Sequence, residues 1–161
     1  MRKKISLALV TLVLCFILGA CGETEDPQIV KFKNDVENFC NSISELDDSI
    51  NAIDSNADTA PTQLLEYLDE VNMRFRSFAD LDFPTEYDPL EHLADEASEY
   101  MSTAVEYYHN AFSNNSFNEY NAEYAQENYS RAIKRIKIIL AILKGESVDD
   151  PSVIISYENA E

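Results

Sequence analysis

The chain has 161 residues, with 12 Lys and Arg against 30 Asp and Glu and a formal net charge of -18. Such a charge opposes nucleic-acid binding, which runs on cations against phosphate. With only Gly19, Gly22 and Gly145, the chain also holds no Gly-rich phosphate loop.

Arg2, Lys3 and Lys4 precede an apolar run from Ile5 to Leu18, closed by Gly19, Ala20 and Cys21. A charged start, a short apolar stretch and small residues before a cut make an export signal. The run of 14 residues falls short of the roughly 20 apolar residues that cross a bilayer core. Leu18-Gly19-Ala20-Cys21 resembles the lipobox of bacterial lipoproteins. The resemblance implies removal of residues 1–20 and a diacylglycerol on the Cys21 thiol. A plain secretory signal with Cys21 as an ordinary first residue is the alternative. Leucine three before the cysteine, with Gly and Ala between, favours the lipobox. Two acyl chains attach a protein stably where one binds only marginally, so the expected location is extracytoplasmic and lipid-anchored to the cell membrane, on the outer face of the cytoplasmic membrane if the cell is Gram-positive. Removing Arg2, Lys3 and Lys4 takes the net charge from -18 to -21. The remaining ~140 residues amount to one domain. Cys40 is then the lone free cysteine, which leaves no disulfide framework and no Cys-based zinc site.

Residues 21–28 read as an acylated, acidic tether. Ile29, Phe32, Val36, Phe39, Ile43, Leu46, Ile50 and Ile53 follow at alternating spacings of three and four, the seam of a helix running from Pro27 or Gln28 to Asp54. A polar break at 55–59 leads to Pro61, suited to a first helical turn. The second helix carries Leu64, Leu68, Val71, Phe75 and Phe78 and stops near Asp80. Residues 81–89 hold Pro84 and Pro89 and predict an extended connection with Phe83 and Tyr87 pinned on the core. Asp88 reads as an N-cap with Pro89 at the first helical position. The third helix then places Leu90, Ala94, Ala97, Met101, Ala104, Tyr108 and Ala111 on one stripe, whose alanines predict close approach to a neighbour. After a break at 113–116, the fourth helix runs from Phe117 to Lys144, with Ala125, Tyr129, Ala132, Ile136, Ile139 and Leu143 on one face. Gly145 is placed for a left-handed cap.

Four amphipathic helices and short breaks predict an all-α, antiparallel up-down-up-down four-helix bundle over residues 29–144. A tail, 145–161, contains the β-prone run Val153-Ile154-Ile155-Ser156-Tyr157. One strand cannot form a sheet alone, so this run packs in a groove, stays loose or pairs with a partner's edge.

No constellation for catalysis emerges, and none is expected for a metal or other cofactor. Glu106-Tyr107-Tyr108-His109 has the Glu-x-x-His spacing of di-iron bundles, but those need the motif twice, and His92 and His109 are the chain's only histidines. Cys40 lies on the helix-one seam, which predicts a small buried thiol rather than a nucleophile.

Charge placement says more. In an up-down bundle, Lys31, Lys33, Arg74, Arg76, Arg131, Lys134, Arg135, Lys137 and Lys144 all fall in the half that also receives Cys21. They are candidates to face anionic headgroups, or they offset a helix dipole and pair with neighbouring carboxylates. The opposite end carries Tyr107, Tyr108, Phe112, Phe117, Tyr120 and Tyr124 among several asparagines. Aromatics with amides make contact surfaces for a protein, peptide or glycan, although helical spacing assigns about half of these rings to the core.

The mature chain resembles small helical-bundle lipoproteins of clostridia and related Firmicutes. The residues that carry this are the lipobox, Asp47-Asp48-Ser49-Ile50-Asn51-Ala52-Ile53-Asp54, Leu64-Leu65-Glu66-Tyr67-Leu68-Asp69, Leu93-Ala94-Asp95-Glu96-Ala97-Ser98-Glu99-Tyr100-Met101 and Arg131-Ala132-Ile133-Lys134-Arg135. The resemblance implies a fold and a location, with no catalytic residue. Two functions remain: a non-enzymatic, membrane-anchored interaction or envelope protein, and a lipoprotein that binds a small sugar, peptide or cation for another surface protein. A cavity between helices with convergent polar groups would favour the second.

Overall fold

The three-and-four spacing of apolar residues folds into four helices: α1 (Pro27–Asn51), α2 (Ala60–Ala79), α3 (Asp88–Phe112) and α4 (Glu119–Leu143). The structure, a computed structural model, describes residues 26–113 and 117–148. The expected export signal, Cys21 and the run 153–157 lie outside the described residues. Among the described residues no helix is long and apolar enough to cross a membrane.

The helix ends depart from the sequence reading for local reasons. Asp26 caps α1, its side chain accepting from the Gln28 N–H at 2.8 Å. α1 stops at Asn51, and Asp54 turns the chain onward by accepting from the Asn56 N–H at 3.0 Å. Asp88, expected as an N-cap, is instead the first residue of α3. A 3₁₀ turn, Thr85–Tyr87, already winds the chain ahead of it, with the Tyr87 N–H donating to Pro84 O at 2.6 Å. Tyr87 is held there by stacking on Phe32, 5.6 Å between ring centroids. Asp88 and Glu91 thus sit in the first turn, where the helix dipole favours negative charge. α4 starts two residues later than expected because Asn118 is its cap, accepting from the Asn121 N–H at 3.1 Å. Gly145 ends α4 at φ 71°, the left-handed conformation glycine adopts without a Cβ penalty.

Cross-helix contacts fix the topology as antiparallel throughout. Phe39 of α1 meets Phe75 and Phe78 of α2, His109 of α3 meets Asp69 of α2, and Glu96 and Tyr107 of α3 meet Arg135 and Tyr124 of α4. α3 and α4 pack most intimately, because Ala94, Ala97, Ala104, Ala111, Ala125 and Ala132 are fully buried and let the backbones approach. α1 and α4 nowhere bring Cα atoms within 8 Å of each other, and side chains bridge that wider seam.

The core is not uniform along the bundle. One end gathers the start of α1, the end of α2, the start of α3 and the end of α4; it is called the near end below. There Phe32, Phe39, Phe78 and Phe83 form a chain of ring contacts at 4.4 to 6.1 Å. Each such buried side chain contributes about 1.5–3 kcal/mol relative to exposure.

Candidate functional site

The far end is closed by the α3–α4 hairpin, where the Asn118 N–H donates to Ala111 O at 2.8 Å. The aromatic residues expected there divide sharply. Tyr108 is 6% exposed and belongs to the core, so it drops out of any contact surface: its stripe position between Ala104 and Ala111 faces inward. Burial pushes its phenol up to about 12, so the ring stays neutral and apolar in effect. Tyr107 and Tyr124 are half-buried and packed on each other at 4.4 Å. Phe112 is half-buried against Phe117 at 5.2 Å. Phe117 and Tyr120 remain open, 45% and 73% exposed. Phe117 lies outside α4 and Tyr120 in its first turn, where no facing helix covers them. Exposed Asn110, Asn118, Glu119 and Glu123 surround them.

The basic residues are largely spent on the flank of the bundle. Arg135 Nε donates to Glu96 Oε2 at 2.6 Å with only 12% of its side chain exposed. Arg131 lies 3.8 Å from Glu127, and both guanidinium groups sit just under 6 Å from the Tyr100 ring, a cation–π arrangement. Lys31 pairs with Asp35 at 3.0 Å, and Arg76 Nε and Nη2 each reach Ser102 Oγ at 3.4 Å. Lys33, Lys134 and Lys144 are likewise engaged. Arg74 and Lys137 are exposed. Several of the near-end cations are thus shared with neighbouring carboxylates, hydroxyls and the Tyr100 ring, while Arg74 and Lys137 face solvent.

The partner His109 shows lies outside its own Glu-x-x-His motif. His109 Nε2 lies 2.8 Å from Asp69 Oδ1, tying α3 to α2. Among the described residues no group of three or more His, Cys, Asp or Glu could hold a metal ion. Cys40 is 5% exposed; burial pushes its thiol up to about 11, with Lys144 lowering it and Glu37 raising it less strongly. A thiol held protonated is a poor nucleophile.

Two polar side chains are buried in the described core, Asp47 at 8% and Asn128 at 3% exposed. Asn128 Nδ2 donates back to Tyr124 O at 2.9 Å. Asp47 Oδ1 is buried and accepts no hydrogen bond. Burial, with a smaller contribution from Asp48, pushes the Asp47 carboxyl above its ordinary value. Neither residue stood out among hydrophobic stripes, although the spacing marks both. Asp47 falls four after Ile43 and three before Ile50, and Asn128 three after Ala125 and four before Ala132. A recess of about 300 Å³ lies at the near end between Tyr87, Pro89 and Leu90 and the Ile142–Leu143 turn of α4.

Among the described residues, fold and sites together define an all-helical bundle of four helices with an aromatic far tip and two polar side chains in its core. No family model matches the chain, nor does any curated protein or solved structure.

Proposed function

We propose that the chain is a membrane-anchored, non-enzymatic lipoprotein that presents the far end of its bundle to an extracytoplasmic protein, peptide or glycan. One observation carries the contact: Phe117 and Tyr120 are the exposed aromatic side chains of the described residues, and they lie together on one hairpin. Exposed rings cost solvation and supply contact area with little rotamer entropy, which is how recognition surfaces are built. The neighbouring amides and carboxylates supply hydrogen bonds at the rim. The anchor rests on Leu18-Gly19-Ala20-Cys21, which leaves the near end at the membrane and the tip outward. The bundle then acts as a spacer: α1, with 25 residues, is ~37 Å long at 1.5 Å per residue.

The test is photo-crosslinking on intact cells from a benzophenone side chain at Tyr120, with the same group at Met73 on the flank of α2 as control. A discrete adduct from position 120 that disappears in a Phe117→Ser chain supports the reading. Identical adducts from both positions refute it.

A further inference from the structure

We infer that the far tip takes a basic protein segment, its Lys or Arg side chains laid on Phe117 and Tyr120 and paired with Glu119 and Glu123. The inference rests on the reading of the tip as a contact surface and adds the chemistry of the partner. Two independent observations carry it. Phe117 and Tyr120 stand 45% and 73% exposed on the hairpin, and charge is segregated along the bundle. No Lys or Arg lies between Lys33 and Arg74 or between Arg76 and Arg131. Because α1 and α3 end where α2 and α4 begin, these gaps meet in the far half and leave it without either residue. Asp54, Asp58, Glu106, Glu119 and Glu123 are exposed there, and the histidine of that half, His109, is held by Asp69 at 2.8 Å.

Glu119 and Glu123 stand four apart on α4, where like charges repel, and Tyr120 and Glu123 three apart, where side chains share a face. A ring and carboxylates on one turn suit a guanidinium or ammonium group: the ring face attracts the charge and the carboxylate accepts its N–H bonds. The same combination is filled elsewhere in the chain. Arg135 Nε donates to Glu96 Oε2 at 2.6 Å while its guanidinium sits 5.9 Å from the centroid of the Tyr100 ring. At the tip the ring and the carboxylates recur in a half of the bundle that holds no Lys or Arg. An anionic polymer would be repelled. A neutral glycan would cover the rings and leave the carboxylates repelling each other. A metal ion is not served, since among the described residues no three His, Cys, Asp or Glu gather to hold one. Exposed ion pairs contribute little singly, so a segment bearing several cations gains where a lone amine does not. The negative field of the far half also steers its approach.

The experiment measures binding of fluorescein-labelled hexa-arginine to the full chain by fluorescence anisotropy at low and at physiological ionic strength, with each variant checked for helix content by circular dichroism. Saturable binding that weakens with salt is expected. Glu119→Gln with Glu123→Gln should weaken it by about five- to tenfold. Phe117→Ser with Tyr120→Ser, which leaves the charge alone, should weaken it by about fivefold. Glu91→Gln with Asp95→Asn removes the same charge at the near end and should change it by less than about twofold. Equal weakening by the two charge-removing pairs would show attraction to net charge alone and overturn the inference, as would no binding. Chitotetraose is the neutral-glycan probe: binding that is lost with the two rings and indifferent to Glu119 and Glu123 overturns the basic partner and leaves the contact surface standing. That surface is decided separately, by the Tyr120 adduct.

Discussion

Asp47→Asn should stabilise the protein. In the wild type a carboxylate sits at 8% exposure with Oδ1 unpartnered, and leaving a buried polar group unsatisfied costs about 1–3 kcal/mol, more when it is charged. Asparagine occupies the same volume without charge, so about 1–2 kcal/mol should be recovered at neutral pH. For ~120 ordered residues, an unfolding entropy of about 2.1 cal/mol/K per residue makes that a rise of roughly 4–8 °C in Tm. The pH dependence checks the cause. Burial and Asp48 raise the folded-state pKa of Asp47 above 3.8, so the folded state binds more protons than the unfolded state between the two values. Stability lost to this group is therefore fully lost above the folded pKa and regained as pH falls toward 3.8. The gap between variant and wild type should be widest at pH 7 and close on acidification; taking the difference cancels the other carboxylates. A variant less stable than wild type, or a gap that does not move with pH, would refute the reasoning.

Two further outcomes follow from packing. Ala97 is fully buried where α3 meets α4, so Ala97→Leu should cost about 1–3 kcal/mol by overpacking, read as a lower urea midpoint; an unchanged midpoint would mean the two helices can part freely. With Cys15 and Cys21 replaced by serine, Cys40 should resist Ellman's reagent at pH 8 in the folded chain and react fully in denaturant, because its thiol is buried and pushed up to about 11. Prompt reaction of the folded chain would show that the α1–α4 seam opens readily.

The fold was legible because seven apolar residues of α1, Ile29 to Ile50, and the alanine stripe of α3 repeat at helical spacing, and a period is a property of sequence alone. Gly145 was legible for the same reason, as a residue type tied to one backbone conformation. What failed to show were features set by contacts across the chain. The 3₁₀ turn before α3 depends on Tyr87 finding Phe32, more than fifty residues earlier, so local signals placed the cap on Asp88. The aromatic tip was half legible. Composition pointed to the hairpin, but only packing separates Tyr108, inside the stripe, from Tyr120 in the uncovered first turn of α4. The basic residues show the same limit: their placement in one half followed from topology, whereas the Arg135–Glu96 pair and the Tyr100 ring that absorb them are tertiary.

The distribution of the core along the bundle links these sites. The near half is held by Phe32, Phe39, Phe75, Phe78 and Phe83, all buried and in ring contact. The far half adds Asp47, Asn128 and the phenols of Tyr108 and Tyr129 to a core of Ile43, Leu46, Ile50 and Val105, and it ends in exposed Phe117 and Tyr120. A seam with a buried, uncompensated carboxylate and a tip with exposed rings are both expensive for folding. Their placement in the same half, away from the aromatic clasp, concentrates that cost at one end of the bundle.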